Sequence, residues 1–196
     1  MFTRNATGDD RVHRTQSLDR LAIGATLALA ALQVFPVPTL TGVVAAVAGV
    51  ATLARMWSWW TPGVITRPLL WVLHLGHASV GLGLVASALP VVGIEVGSGA
   101  LHLITVGGVG LLTIGMMAQV SLGHTGRPLE VATPIAVAFG AVGLAALVRA
   151  FGPLLDPAWT SAWWWLAAGL WSLGFLTFAV LYAGTLTRPR ADGRPG

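Results

Sequence analysis

The chain has no cysteine and no lysine, one tyrosine, and only 9% charged residues among its 196. Without cysteine there is no disulfide framework, no thiolate metal site and no thiol nucleophile. Any metal chemistry therefore falls to histidine, methionine and oxygen ligands. A typical soluble domain carries about 25% charged residues, so this chain cannot clothe a water-facing surface. A soluble enzyme, a secreted disulfide scaffold and a disordered chain are excluded on these grounds. Neither a Walker A nor a Rossmann fingerprint occurs, and no acid accompanies serine and histidine in a hydrolase pattern.

What the chain has in quantity is apolar: 55% hydrophobic residues and a mean hydropathy of +0.78. A bilayer crossing takes ~20 mainly apolar residues. Six such runs fill most of the length, at residues 18–35, 39–60, 69–92, 100–121, 131–151 and 159–186. The pattern predicts an all-α, polytopic membrane bundle of six transmembrane helices over 18–187, with a mobile polar N-terminal tail over 1–17 and a C-terminal tail over 188–196. The first run ends at Pro36 and Pro38 and is short; its core resembles that of a signal peptide. Its small residues are spread throughout and no cleavage site stands out, so a retained span is expected.

The net charge of +4 does not point to nucleic acid, because the arginines lie in tails and loops and form no dense patch between aromatics. With six spans, ten of the eleven arginines fall on the side of the termini and only Arg149 on the other. The positive-inside rule then places both termini in the cytoplasm of a multi-pass inner-membrane protein. Trp57, Trp59 and Trp60 at one span end, and Trp163, Trp164 and Trp165 at another, read as interfacial belts. Arg149, Glu95 and Glu130 read as interfacial charges, with Arg149 able to hold an anionic group. Pro134 predicts an early kink in the fifth span.

Ionisable groups inside a membrane are costly and mark functional candidates. His74 and His77 lie three residues apart, on one helical face, with Cβ atoms about 5–6 Å apart and roughly 7–12 Å in from the cytoplasmic end. Neutral imidazole ligates copper, iron or haem iron. The same pair also suits hydrogen bonds between helices, and the spacing alone does not choose. His102 and His124 fall about 40° apart on the fourth span but roughly 30 Å apart along it, so they cannot share one ion. Met116 lies near that stripe as a thioether for Cu(I) or as packing. Axial haem ligands need similar depth on opposite faces, which argues against one haem held by His74 and His102 in one protomer.

The segments ALHLITVGGVG at 100–110, Met116 and Met117, and SLGHTGRPL at 121–129 resemble the NnrS family of bacterial membrane proteins, as do RMW at 55–57 and LWVLHLG at 70–76. The resemblance runs from the second span to the end, and SLGHTGRPL is its most specific part. It implies a polytopic protein of the nitric oxide and nitrosative-stress response that binds haem and copper. His74, His102 and His124 match family positions, whereas His77 sits where the family more often has an aromatic residue. The family is about twice this length, and its N-terminal half has no counterpart here. That leaves a site completed by a homo-oligomer or by a separate N-terminal-half partner. The alternatives are a small-solute or ion transporter, for which no mid-membrane acid is present, and a cofactor-free scaffold subunit. The lipid bilayer is a partner on every reading.

Overall fold

The computed structural model describes residues 2–35 and 37–193, and no strand occurs among them. Pro36 and Arg194, read above as a break and a basic tail residue, lie outside the described residues. Seven helices follow in order: α1 Phe2–Thr7, α2 Gln16–Leu32, α3 Pro38–Trp57, α4 Pro68–Ala86, α5 Gly99–His124, α6 Thr133–Leu155 and α7 Thr160–Thr187. Among the described residues, α3 to α7 are long and apolar enough to cross a membrane. The first apolar run gives α2, whose 17 residues span ~25 Å against a hydrocarbon core of ~30 Å. Of the six expected spans, the first of them short, five are long and apolar enough to cross, and the first run forms the shorter α2.

Proline starts α3, α4 and α6 in the first turn, where its missing N–H leaves no bond unmade. Pro134 therefore opens α6 and does not kink it. The proline inside that helix is Pro153, which the sequence had placed beyond its end.

Each helix packs on its neighbour along the chain from α2 to α7. The buried centre lies between α4, α5, α6 and α7, where Val72, Leu111, Ile114, Phe139 and Val142 meet. Bulky apolar side chains such as Leu173, Leu176 and Val180 point outward along α7, as a lipid-facing helix requires. Glycine lets the inner helices touch through their backbones. A Cβ on Gly49 of α3 would lie 2.7 Å from the Gly81 carbonyl oxygen of α4 and 2.8 Å from the Val85 nitrogen. Between α4 and α5 the contact falls where Leu103–Val109 winds as a π-helix, with Gly107 against Ser79 and Gly108 against Val80.

Both tails dock on one end of the bundle, here the near end. The N-terminal segment does not hang free: Val12 is buried, the His13 N–H donates to Ser58 O at 3.2 Å, and the Thr61 hydroxyl donates to Asp9 Oδ2 at 2.6 Å. At the other tail, the Ala191 N–H donates to Thr125 O at 2.9 Å. Ala6, Arg67 and Glu130 line one cleft that joins the N-terminal segment to the α3–α4 and α5–α6 connections. The start of α5 meets the end of α6 at the far end, where Gly99 lies against Ala150 O.

Two outcomes follow from this packing. Gly49→Val should destabilise the protein by about 1–3 kcal/mol, since rigid backbone must move to admit the side chain. Gly140→Ala, where nothing lies within 4 Å of the added Cβ, should leave melting unchanged or slightly raised; thermal unfolding in detergent compares the two. The second concerns Asp9, whose carboxyl is held well below the usual range by hydrogen bonds from the Arg11 side chain, then from Thr61. A depressed folded-state pKa stabilises the docked segment above the unfolded value of about 4, and that contribution is lost as pH falls toward the folded value. Amide exchange at residues 10–13, corrected for intrinsic rate, should quicken below pH about 4 and not above it.

Candidate functional site

A cavity of about 330 Å³ opens at the near end, under the docked N-terminal segment and between α2, α3 and α4. Its walls include Val12, Asp19, Arg55, Trp59, His74 and His77. The helical period of α4 brings the two histidines there, one turn apart on one face. His74 Nδ1 lies 2.9 Å from Leu70 O and His77 Nδ1 lies 2.9 Å from Leu73 O, each a carbonyl four residues back. A carbonyl can only accept, so in the neutral rings the proton sits on Nδ1 and Nε2 keeps its lone pair. His74 Nε2 is buried and has no hydrogen-bond partner.

Aromatic edges hold both rings. Trp60 meets His74 edge-on with centroids 6.1 Å apart, and Trp59 meets His77 at 5.2 Å. The sequence marks these two tryptophans as part of an interfacial belt; in the structure they also meet the imidazoles, with Trp59 half-buried and Trp57 and Trp60 exposed. Arg55 lies over the Trp59 ring, 5.0 Å from its centroid. Asp19, buried in the first turns of α2, pairs with Arg14 Nε through one oxygen. Its other oxygen lies 2.8 Å from Arg55 Nε, in an ion pair too bent to count as a hydrogen bond. Two arginines against one carboxylate leave this wall of the cavity net positive.

Asp19 and Arg14 were not singled out in the sequence as site residues. The available signal was an acid inside an apolar run, which is costly without a partner. That partner, Arg55, lies 36 positions away in the sequence and on another helix.

The other candidate ligands lie elsewhere. His102 is in the first turn of α5 at the far end, immediately before the π-helical segment. His124 is the exposed last residue of α5, and its carbonyl accepts from Arg190 Nη1 at 2.7 Å. Met116 and Met117 are exposed on α5 and do not line the histidine cavity. The fold thus gathers His74 and His77 only, and among the described residues no group of three or more histidine, cysteine or acid side chains could hold a metal. The SLGHTGRPL segment serves the chain's own packing: Thr125 O receives Ala191, and Arg127 Nη1 reaches Thr185 O at 3.4 Å. Gly126 adopts φ +69°, and an added Cβ would meet Asp192 there, so only glycine suits the turn.

No curated protein and no solved structure matches the chain. Residues 1–190 match the family described as NnrS protein, so the similarity begins ahead of the second span and takes in α1 and α2 as well. The chain therefore belongs to the NnrS family, membrane proteins linked to the nitric oxide response.

Proposed function

We propose that this protein binds copper or haem through His74 and His77 and acts in the response to nitric oxide. The carrying observation is the buried, unpartnered Nε2 of His74, with its tautomer fixed by Leu70 O. An unmade buried acceptor costs about 1–3 kcal/mol, and a metal at Nε2 would relieve it. A backbone bond on the other ring nitrogen is the usual support for a ligating histidine. His77 has the same bond and lines the same cavity. The donor set fits a copper ion held by two imidazoles from one helix face. It fits haem through one imidazole at a time, because two side chains on one face cannot approach the iron from opposite sides.

A reduced metal held by these imidazoles would supply affinity for a small apolar ligand such as nitric oxide. The chain's own residues do the rest. Leu70 O and Leu73 O orient the rings, Trp59 and Trp60 pack against them, and the docked N-terminal segment shields the cavity from water. With two imidazoles the chain supplies a partial ligand set, which favours completion by a second copy or a separate N-terminal-half partner. His102, His124 and Met116 hold no metal on this reading.

The topology that accompanies it is six crossings of the bacterial inner membrane with both ends cytoplasmic. Support comes from the docking of both tails on the near end, together with the positive-inside rule. For α2 to join that end to the start of α3, it must run the depth of the bundle, thinning the bilayer locally to do so.

The metal test is elemental analysis and an oxidised and reduced absorption spectrum of detergent-purified protein, from cells supplied with iron and copper. His74→Ala should weaken metal or haem retention at least about tenfold, His77→Ala should do so for copper, and His124→Ala should leave both unchanged. Unaltered retention in His74→Ala, or neither a Soret band nor stoichiometric metal in the parent, sinks the proposal. Topology is read from the cysteine-free background: Asp10→Cys and Phe35→Cys should react with an impermeant maleimide from opposite faces. Labelling of both from one face removes α2 from the membrane.

A further inference from the structure

One mainly apolar crevice at the far end, with an arginine in its wall, has no role in the reading above. It holds about 540 Å³ between α5, α6 and α7, and its walls include Val106, Arg149, Ser161, Trp165 and Trp171. Arg149 projects from α6 six residues before the helix ends, about 9 Å into its last turns. Its guanidinium stacks on Trp164, 4.3 Å from the ring centroid, and its Nη1 is buried without a hydrogen-bond partner.

Guanidinium stays charged at any working pH, and an unpaired charge among transmembrane helices is costly. Among the described residues no carboxylate forms an ion pair with Arg149. Asp156, the acid nearest to it in sequence, spends an oxygen accepting from the Ala158 N–H. The titratable group that faces it from α5 is His102, which supplies no negative charge. The site therefore has a fixed cation, a donor aimed at nothing, and the serine hydroxyls of Ser161 and Ser172 on the same wall.

The rest of the crevice is apolar and opens sideways. Trp165, Ala168 and Trp171 are exposed on α7, on a surface that elsewhere carries Leu173 and Leu176. A free anion would satisfy Arg149 and leave this apolar trough unfilled. An amphiphile with an anionic head satisfies both, and Arg149 lies beside Trp163, Trp164 and Trp165, the residue type that concentrates at a headgroup boundary.

We propose that this crevice binds an anionic phospholipid, its phosphate taken by the Arg149 guanidinium in a charge-assisted pair and an acyl chain lying along Trp165, Ala168 and Trp171. The proposal is independent of any metal at the near end. It also gives the lone arginine of the far side a reason to be there against the positive-inside bias.

Native mass spectrometry of the full chain in detergent tests it, with three probes: a short-chain phosphatidylglycerol, the chain-matched diacylglycerol, and inorganic phosphate. Phosphatidylglycerol should be retained by the parent protein, and about 10- to 100-fold less tightly by Arg149→Met, from the worth of a hydrogen bond to a charged group. Arg149→Lys should fall between them. Ala168→Phe should weaken retention by filling the trough while leaving Arg149 in place, which keeps the test decisive if Arg149→Met fails to fold. Equal retention of diacylglycerol, or undiminished retention by both Arg149→Met and Ala168→Phe, overturns the proposal. Binding of inorganic phosphate as strong as that of the lipid overturns it in favour of a free-anion site.

Discussion

In hydrocarbon, helices gain little by hiding apolar side chains from one another, because lipid tails are equally apolar; association rests on close contact and on polar groups that must find partners. The α4–α5 pairing meets this condition through small residues on both helices. Gly76 and Gly83 face Leu112 and Ile104, and Gly107, Gly108 and Gly115 face Ser79, Val80 and Val72. The π-helical stretch of α5 lies inside this contact and carries two of those glycines. With α4 fixed this way on α5, and bound on its other side to α3 through Gly49 and Gly81, the face carrying His74 and His77 is turned toward α2 and the N-terminal segment. The cavity at the near end is a consequence of that placement.

Several polar side chains in or beside the spans are satisfied in the same local way. The hydroxyls of Thr26, Thr52, Ser87 and Thr105 each donate to the carbonyl four residues back, and the imidazoles of His74 and His77 use the same carbonyl position. This local bonding hides a polar group without calling on another helix. For a hydroxyl it satisfies the donor. For an imidazole it satisfies one nitrogen and exposes the chemistry of the other, which makes the histidines candidates for a ligand where the threonines are not. Arg149 is the converse case, a cation too large and too fully charged to be satisfied by a neighbouring carbonyl.

The two ends of the bundle differ accordingly. At the near end, acids pair with arginines within the chain: Asp9 with Arg11, Asp19 with Arg14 and Arg55, and Asp192 with Arg190. The tails are tied to the loops by hydrogen bonds from Thr61 to Asp9, from His13 to Ser58 and from Ala191 to Thr125. The far end has Arg149 stacked on Trp164 instead. Trp163, beside it, turns inward over Gly152 and donates its indole N–H to Asp156 O at 3.3 Å, so the three consecutive tryptophans do three different jobs.

Apolar runs of the right length and a scarcity of charge determined from sequence alone that the chain is a helical membrane protein, and each of its long helices falls on one of those runs. These features were legible because they are local: a helix satisfies its own backbone, and lipid sets its length. The same-face spacing of His74 and His77 was legible for that reason too. Which groups meet across helices was not. That Asp19 pairs with Arg55, that Trp59 and Trp60 meet the imidazoles, that the N-terminal segment docks as a roof, and that Met116 and His124 face outward all depend on rotations of whole helices. Those rotations are decided by backbone approach at the glycine faces, an interaction between segments distant in sequence, and only the tertiary structure holds it.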